Sequence, residues 1–235
     1  METHIIQGLF SESVIVYHYP SNKPSKKSIL VLKGIYGEHD PNGLSWDNAL
    51  VKLLQNNHHI IFIRTSRLNN KTDREAFIGK TFGQECSEIE SALEYCNKNI
   101  FPKDITWCCI GASFGGTILL GTPRTLSQMK AVIMIGSGCG KTPETTKPLL
   151  STLPETDQLL RALDTYSGIF IFLHGENDVI VPEYSQRLIY DRAGKHSNKH
   201  RWVSMPNLDH SLRDTSTKES YMAKIAFQYI SGDFI

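Results

Sequence analysis

Residues 108–120, "CCIGASFGGTILL", place a lone serine, Ser113, between glycines where an apolar run gives way to a helical pattern. An apolar run that ends at glycine is typical of a buried strand, and small residues after it permit a tight turn into a helix. The serine is then either a nucleophile held out on that turn or a small polar residue in a Gly-rich loop. The pentapeptide "GASFG" at 111–115 does not distinguish a nucleophile from a turn residue, so the surrounding sequence is needed to decide.

Strand-like and helix-like segments alternate from residue 28 to the end of the chain. The apolar runs that predict strands are 28–34, 58–64, 104–111, 130–136, 168–175 and 199–206. Helical spacing of apolar residues predicts helices from Trp46 onward and over 83–99, 113–121, 154–166, 182–193 and 217–230. This alternation predicts an α/β protein with a mostly parallel, doubly wound sheet and helices on both faces.

The first twenty residues differ from the rest because two short strands follow each other without a helix between them. They predict an antiparallel hairpin on one edge of the sheet. No repeat, low-complexity tract or linker divides the chain, so we expect one domain over 1–235. Within it, 137–167 is a short insertion between two strands, comparable in position to a lid.

Composition excludes several classes of partner. The 235 residues carry a net charge of +1, which gives no electrostatic reason to expect nucleic acid or an anionic membrane. The apolar runs are too short to span a bilayer, and the start of the chain lacks the basic and apolar regions of a secretory signal. The five cysteines are an odd number, and Cys108 and Cys109 point to opposite faces of a strand. These features predict a reduced, cytoplasmic protein.

Three polar residues follow predicted strands, at positions that catalytic residues commonly occupy in such sheets. Catalytic groups of open α/β sheets lie beyond the carboxyl ends of the strands. Ser113 follows one strand, Asp178 lies in "HGENDVIVP" after another, and His210 lies in "NLDHSL" after the last. A serine, an acid and a histidine therefore reach one edge of the sheet, in that chain order.

With G-x-S-x-G at 111–115, "HGENDVIVP" at 174–182 and "LDHSL" at 208–212, the chain resembles the α/β-hydrolase superfamily over essentially its whole length. The resemblance implies that Ser113 is the nucleophile and His210 the base that takes its proton. Asp178 would fix the imidazole tautomer and stabilise the imidazolium as it forms. The esterase, dienelactone-hydrolase-like and acyl-peptidase-like branches of the superfamily are not distinguished by these motifs.

The resemblance also implies two backbone N–H donors for the oxyanion. One comes from the residue after the nucleophile, here Phe114, and the other from the loop after the third strand. Relatives carry His-Gly-x in that loop, whereas this chain has Lys33 before Gly34. We assign the second donor to Ile35, with Tyr36 as the alternative. Because Lys33 replaces the histidine of the relatives, the sequence does not predict the detailed geometry of this loop.

Other residues compete for these roles. Rival acids are Asp209, Glu176 and Asp191, and His174 is expected to be structural because it ends a buried strand. The pair His58-His59 and the stretch "HSNKH" at 196–200 lack a Cys or Glu placed to complete a metal-ligand motif. "GSGCGKT" at 136–142 is one residue short of a phosphate-binding loop. We therefore expect no metal and no cofactor.

The function that these motifs imply is a carboxylesterase-like serine hydrolase that cleaves a small ester or thioester through an acyl-enzyme. The insertion at 137–167 is too short for a multi-helix cap, which predicts an open site and a small-molecule acyl substrate. A catalytically idle scaffold that binds a partner remains an alternative, as does a peptidase or acyltransferase with the same three residues. The oligomeric state is not predicted.

Overall fold

The computed structural model describes residues 1–10, 12–35, 39–43, 45–68, 77–101, 104–140 and 149–233. Within them, eight strands form one sheet in the spatial order β1-β2-β4-β3-β5-β6-β7-β8. The strands are β1 (Glu2–Ile6), β2 (Val14–Tyr19), β3 (Lys27–Leu32), β4 (His59–Arg64), β5 (Thr106–Ala112), β6 (Met129–Ile135), β7 (Ile169–Gly175) and β8 (Lys199–Met205).

Strand directions confirm the predicted class. β1 pairs with β2, and β2 with β4, in antiparallel register, whereas β3 to β8 pair in parallel. The hairpin of β1 and β2 therefore forms one edge, as predicted. The central strands are apolar along nearly their whole length because helices cover both of their faces.

The helices are α1 (Trp46–Leu54), α2 (Phe82–Tyr95), α3 (Phe114–Leu120), α4 (Pro123–Gln128), α5 (Thr156–Leu160), α6 (Glu183–Ala193) and α7 (Met222–Asp233). A π-helical turn (Cys96–Ile100) extends α2, and 3₁₀ turns span Leu150–Thr152 and Arg161–Thr165. Two apolar cores result. α1 and α7 pack on one face of the sheet, and α2, α3, α5 and α6 pack on the other. In the part of the chain that the structure describes, no helix is long and apolar enough to cross a membrane.

Three helical segments differ from the sequence prediction. α4 was not predicted because six residues show too little periodicity, although Pro123 at its start is a favourable first residue. The helix expected over 154–166 is α-helical only as α5 and continues as a 3₁₀ turn. The last helix begins at Met222 rather than 217, because Asp214 accepts hydrogen bonds from the backbone of the turn that precedes it.

The cysteines behave as core residues. All five are buried and unbridged. Cys108 packs in the core under α1 and α7, while Cys109 packs in the opposite core, as the alternation of a strand requires. Burial raises the pKa of the Cys108 thiol to about 12, so it stays protonated near neutral pH and is a poor nucleophile.

Candidate active site

Ser113 occupies a sharp turn between the end of β5 and the start of α3. Its backbone has φ 53° and ψ −125°, a conformation that residues with a side chain rarely adopt. The turn is held from both sides: the Ser113 N–H donates to the Ile135 carbonyl at 2.7 Å, and the Ser113 carbonyl accepts from the Gly116 N–H at 3.1 Å. The serine is therefore fixed beyond the carboxyl end of the strand in a strained geometry.

The glycines around this turn are required by close backbone contacts. A Cβ on Gly115 would lie 2.1 Å from the carbonyl oxygen of Leu32, the last residue of β3. A Cβ on Gly111 would lie 2.7 Å from the Cα of Gly116. Real Cβ atoms do not approach other atoms so closely, so α3 can pack against β3 and β5 only if these positions have no side chain.

His210 reaches the serine from the loop after β8. Its Nε2 lies 2.9 Å from the Ser113 Oγ, and its Nδ1 lies 2.9 Å from Oδ2 of Asp178. The neighbouring Asp209 shapes this loop, since its Oδ1 accepts hydrogen bonds from the N–H groups of Ser211 and Arg213 at 2.8 and 3.0 Å. The structure thus brings the three predicted residues together. The side chain of the rival acid Asp209 instead binds the backbone of the turn that carries His210.

The side chain of Asp178 is fully buried, and its carboxylate accepts several hydrogen bonds. Its Oδ1 accepts from the N–H groups of Ile180 and Val181, each at 2.9 Å. Burial acts to raise the pKa of this carboxyl group, but the hydrogen bonds from His210 and from the two backbone amides outweigh it, and the pKa lies below its ordinary value. The carboxylate therefore stays ionised across the range in which histidine titrates.

Gln186 on α6 is a buried partner of Asp178 that the sequence analysis missed. Its Nε2 donates to Oδ2 of Asp178 at 3.0 Å and to the Val181 carbonyl at 2.8 Å. Its Oε1 lies 3.1 Å from Nδ1 of His174, which is buried and supports the glutamine from behind. His174 is therefore structural, as predicted. A glutamine on an amphipathic helix resembles a surface residue, so the sequence offers little signal for this role.

The other two rival acids point elsewhere. Glu176 accepts a hydrogen bond from the Ser204 hydroxyl at 2.8 Å, and Asp191 is exposed on α6. Neither forms a described contact with His210, whose Nδ1 faces Asp178.

The loop after β3 packs directly against the serine. A Cβ placed on Gly34 would lie 3.4 Å from Cβ and 3.7 Å from Oγ of Ser113. Phe114 is the first residue of α3, so its N–H has no acceptor within the helix. Ile35 lines a cavity together with Ser113 and Phe114. Tyr36, the alternative second donor, lies outside the described residues.

Lys33 forms an ion pair beneath this loop. Its Nζ lies 2.9 Å from Oδ2 of Asp47, which stands fully buried in the first turn of α1. Asp47 also accepts from Nδ1 of His39 at 2.7 Å and from the Ser45 hydroxyl. Burial acts to raise the pKa of Asp47, but these bonds outweigh it and hold the pKa well below its ordinary range. The lysine that replaces the expected histidine therefore ties the loop to α1.

An apolar cavity of about 110 Å³ opens beside the serine. The short insertion contributes Leu150 and Leu153 to its wall, and Ile180 and Val181 close another side. The other described residues that line it are Ile35, Ser113, Phe114, Thr117, Gly138 and Gly140. A volume of this size is somewhat smaller than the roughly 150 Å³ apolar cavity that holds one benzene molecule.

No protein-family model matches the chain, and no curated protein matches it by sequence. Its fold, in contrast, is shared with many solved structures. A propionate-bound esterase, Est2 from the Planctomycetes species Thermogutta terrifontis, matches with a TM-score of 0.70 and 14% identity, covering 98% of this chain and 93% of that one. A putative dienelactone hydrolase from Klebsiella pneumoniae subsp. pneumoniae MGH 78578 gives 0.69 and 15%, with coverage of 97% and 95%.

A thioesterase domain from the curacin biosynthetic pathway matches with a TM-score of 0.69 and 11% identity, covering 98% of this chain and 99% of that domain. At sequence identities of 11–15%, the similarity to these structures shows a shared backbone fold. The mostly parallel eight-stranded sheet and its antiparallel edge hairpin agree with it. The chain therefore has the α/β-hydrolase fold.

Proposed function

We propose that the chain is a serine hydrolase that cleaves a small carboxylic ester through an acyl-enzyme. The observation that carries the proposal is the continuous chain of two 2.9 Å contacts from Ser113 through His210 to Asp178. A serine hydroxyl is a weak nucleophile until a base removes its proton, and the strained turn leaves this hydroxyl facing such a base. A serine that served only as a small turn residue would need neither partner.

The reaction follows from the positions of these groups. His210 Nε2 takes the proton of Ser113 as Oγ attacks the ester carbonyl carbon, and the C=O electron pair moves onto the oxygen. When the tetrahedral intermediate collapses, the bond to the leaving alcohol breaks and His210 returns the proton to it. Water, deprotonated by the same imidazole, then releases the acid and restores the serine. Asp178 stabilises the imidazolium in both halves of the cycle.

The oxyanion would be held by backbone N–H groups. Phe114 supplies one at the start of α3, where the helix dipole also favours negative charge. Ile35, or Tyr36 beyond the described residues, supplies the other from the loop after β3. Such donors help most when they are fixed in advance, because no reorganisation is then needed during the reaction. The ion pair of Lys33 with Asp47 would fix this loop.

We assign the acyl group to the apolar cavity that Ser113 shares with Leu150 and Leu153. A volume of about 110 Å³ with apolar walls suits an acyl chain of a few carbons. The Thermogutta terrifontis esterase of the same fold was solved with propionate bound, which agrees with a short acyl group. Thioesters react by the same steps, and we place oxygen esters first because esterases recur among the structural neighbours.

We expect Ser113→Ala to lower kcat for p-nitrophenyl acetate by at least about 10⁴-fold, because no other group replaces the nucleophile. The melting temperature should not fall, since the change only removes one hydroxyl. Ser127→Ala, which changes an exposed serine on α4, is the matched control and should retain full activity. Activity that survives in Ser113→Ala would assign another nucleophile, whereas a wild-type protein that does not hydrolyse the ester would favour the idle-scaffold alternative.

The acyl preference can be measured with p-nitrophenyl acetate, butyrate and octanoate. The cavity predicts the highest kcat/KM for the two short esters and a decrease of about tenfold or more for octanoate, because its chain does not fit. Leu150→Ala should shift the preference toward longer chains, and Leu53→Ala on the exposed side of α1 should not. A kcat/KM that rises steadily with chain length would contradict this assignment of the cavity.

The pH profile should have one ionisation on its acid side. His210 must be neutral to act as a base, because a protonated imidazole has no lone pair to take the serine proton. The lowered pKa of Asp178 keeps that carboxylate charged, so the base alone should set the acid limb, where kcat/KM should fall tenfold per pH unit. A profile that stays flat to pH 5 would exclude histidine as the base.

Lys33→Met should lower kcat by up to about 10²-fold with little change in KM, because the displaced loop weakens one oxyanion donor. The same variant should also lose stability, since Asp47 would remain buried with less compensation for its charge. Measuring kcat below the melting temperature separates the two effects. Lys52→Met at the exposed end of α1 is the control. An unchanged kcat in Lys33→Met would show that the loop does not depend on this ion pair.

A further inference from the structure

A second cluster of titratable side chains lies on the hairpin of β1 and β2, away from the catalytic residues. Glu2 and His4 share one face of β1, and Glu2 stands opposite His18 in the register of the hairpin. One potential ligand atom from each of Glu2, His4 and His18 lies within 4.8 Å of the other two, and Oε2 of Glu2 is 2.8 Å from His18 Nδ1 and 3.8 Å from His4 Nε2. His59, at the start of β4, stacks on the His18 ring. This cluster lies at the amino ends of the parallel strands, opposite the edge that holds Ser113.

The His4 Nε2 atom is buried and has no hydrogen-bond partner in the described part of the chain. It lies 3.8 Å from Oε2 of Glu2, beyond hydrogen-bonding distance. The other ring nitrogen, Nδ1, contacts the hydroxyl of Tyr95 at 3.5 Å. A buried polar atom without a partner is costly, so an occupant between His4 and Glu2 would explain the arrangement.

Hydrogen-bond directions around His59 indicate that an occupant is also needed between His18 and Glu2. The Ser21 N–H donates to Nδ1 of His59 at 3.3 Å, so that nitrogen carries a lone pair. His18 Nε2, 3.1 Å from the same nitrogen, must then be the donor. A neutral His18 is left with its lone pair on Nδ1, facing the Glu2 carboxylate at 2.8 Å.

Two lone pairs at 2.8 Å repel each other unless a cation lies between them. A metal ion at this position would bind His18 Nδ1 and Glu2 Oε2 and would also satisfy the orphaned Nε2 of His4.

We propose that Glu2, His4 and His18 bind a zinc ion. Two imidazole nitrogens and one carboxylate oxygen are a donor set that suits Zn²⁺, with water as the fourth ligand. Tetrahedral zinc requires ligand atoms about 3.3 Å apart, so the present separations need adjustments of about an ångström. The outer nitrogens of both imidazoles already contact Tyr95 and His59, and such outer contacts orient metal-binding histidines.

The zinc ion would join β1 to β2 at the open edge of the sheet. β1 is largely exposed and lies at the edge of the sheet, where β2 is its one paired strand among the described residues. A metal ion that binds the folded hairpin and not the unfolded chain stabilises the fold by mass action. Because the cluster and Ser113 lie at opposite ends of the strands, ester hydrolysis should not depend on it.

The test uses tag-free protein of residues 1–235 that is treated with EDTA, dialysed, and titrated with ZnCl₂ by calorimetry. We expect one equivalent of zinc to bind, with a Kd of about 10 μM or tighter, and the melting temperature to rise by several degrees in zinc. His4→Gln and Glu2→Gln each remove one ligand at a partly or fully exposed residue. Both should weaken binding by at least about tenfold and reduce the thermal shift to a similar extent.

His196→Gln is the control, because His196 is an exposed histidine outside the cluster and its loss should not affect zinc binding. Circular dichroism without zinc shows whether each variant folds, and Glu2→Gln replaces His4→Gln if the latter does not. Absence of saturable zinc binding to the EDTA-treated protein would overturn the proposal and assign a proton to the contact between His18 and Glu2. Equal binding by wild type and both ligand variants would overturn it too.

Discussion

The close approach of α3 to the backbones of β3 and β5 is the constraint on which the rest of the site depends. Gly115 lies so near the Leu32 carbonyl that no side chain fits there, and Gly111 faces Gly116 in the same way. This packing and the hydrogen bonds of the Ser113 backbone to Ile135 and Gly116 together hold Ser113 in its strained conformation beyond the strand. The loop after β3 is brought against the serine by the same contact, so the nucleophile and the proposed oxyanion donors are positioned together.

Much of this arrangement could be predicted from the sequence because it rests on local patterns. Apolar runs that alternate with helical spacing predict the order of strands and helices along the chain. The positions of Ser113, Asp178 and His210 just after predicted strands indicate that the three residues lie close together. Short elements are harder to predict from the sequence. The six residues of α4 and the 3₁₀ turn after α5 offer too few positions for periodicity to show, and their conformation depends on packing against the rest of the fold.

Contacts between distant side chains were the part that the sequence did not reveal. Gln186 contacts Asp178 only because α6 folds back over the loop after β7. Lys33 first suggested a departure from the expected loop, yet its ion pair with Asp47 gives it a structural reason. The expectation of no metal rested on local spacing and stays a prediction, and the Glu2, His4 and His18 cluster forms across paired strands, where spacing within one segment gives no signal. Each of these contacts depends on tertiary neighbours.

The central claim is that His210 activates the hydroxyl of Ser113, and covalent labelling tests it most directly. The folded protein is treated with a fluorophosphonate, digested, and examined by peptide mass spectrometry. We expect one modified residue, Ser113, and labelling that slows greatly in His210→Gln, because the base is then lost. Modification of another residue, or labelling of Ser113 at the same rate without His210, would contradict it.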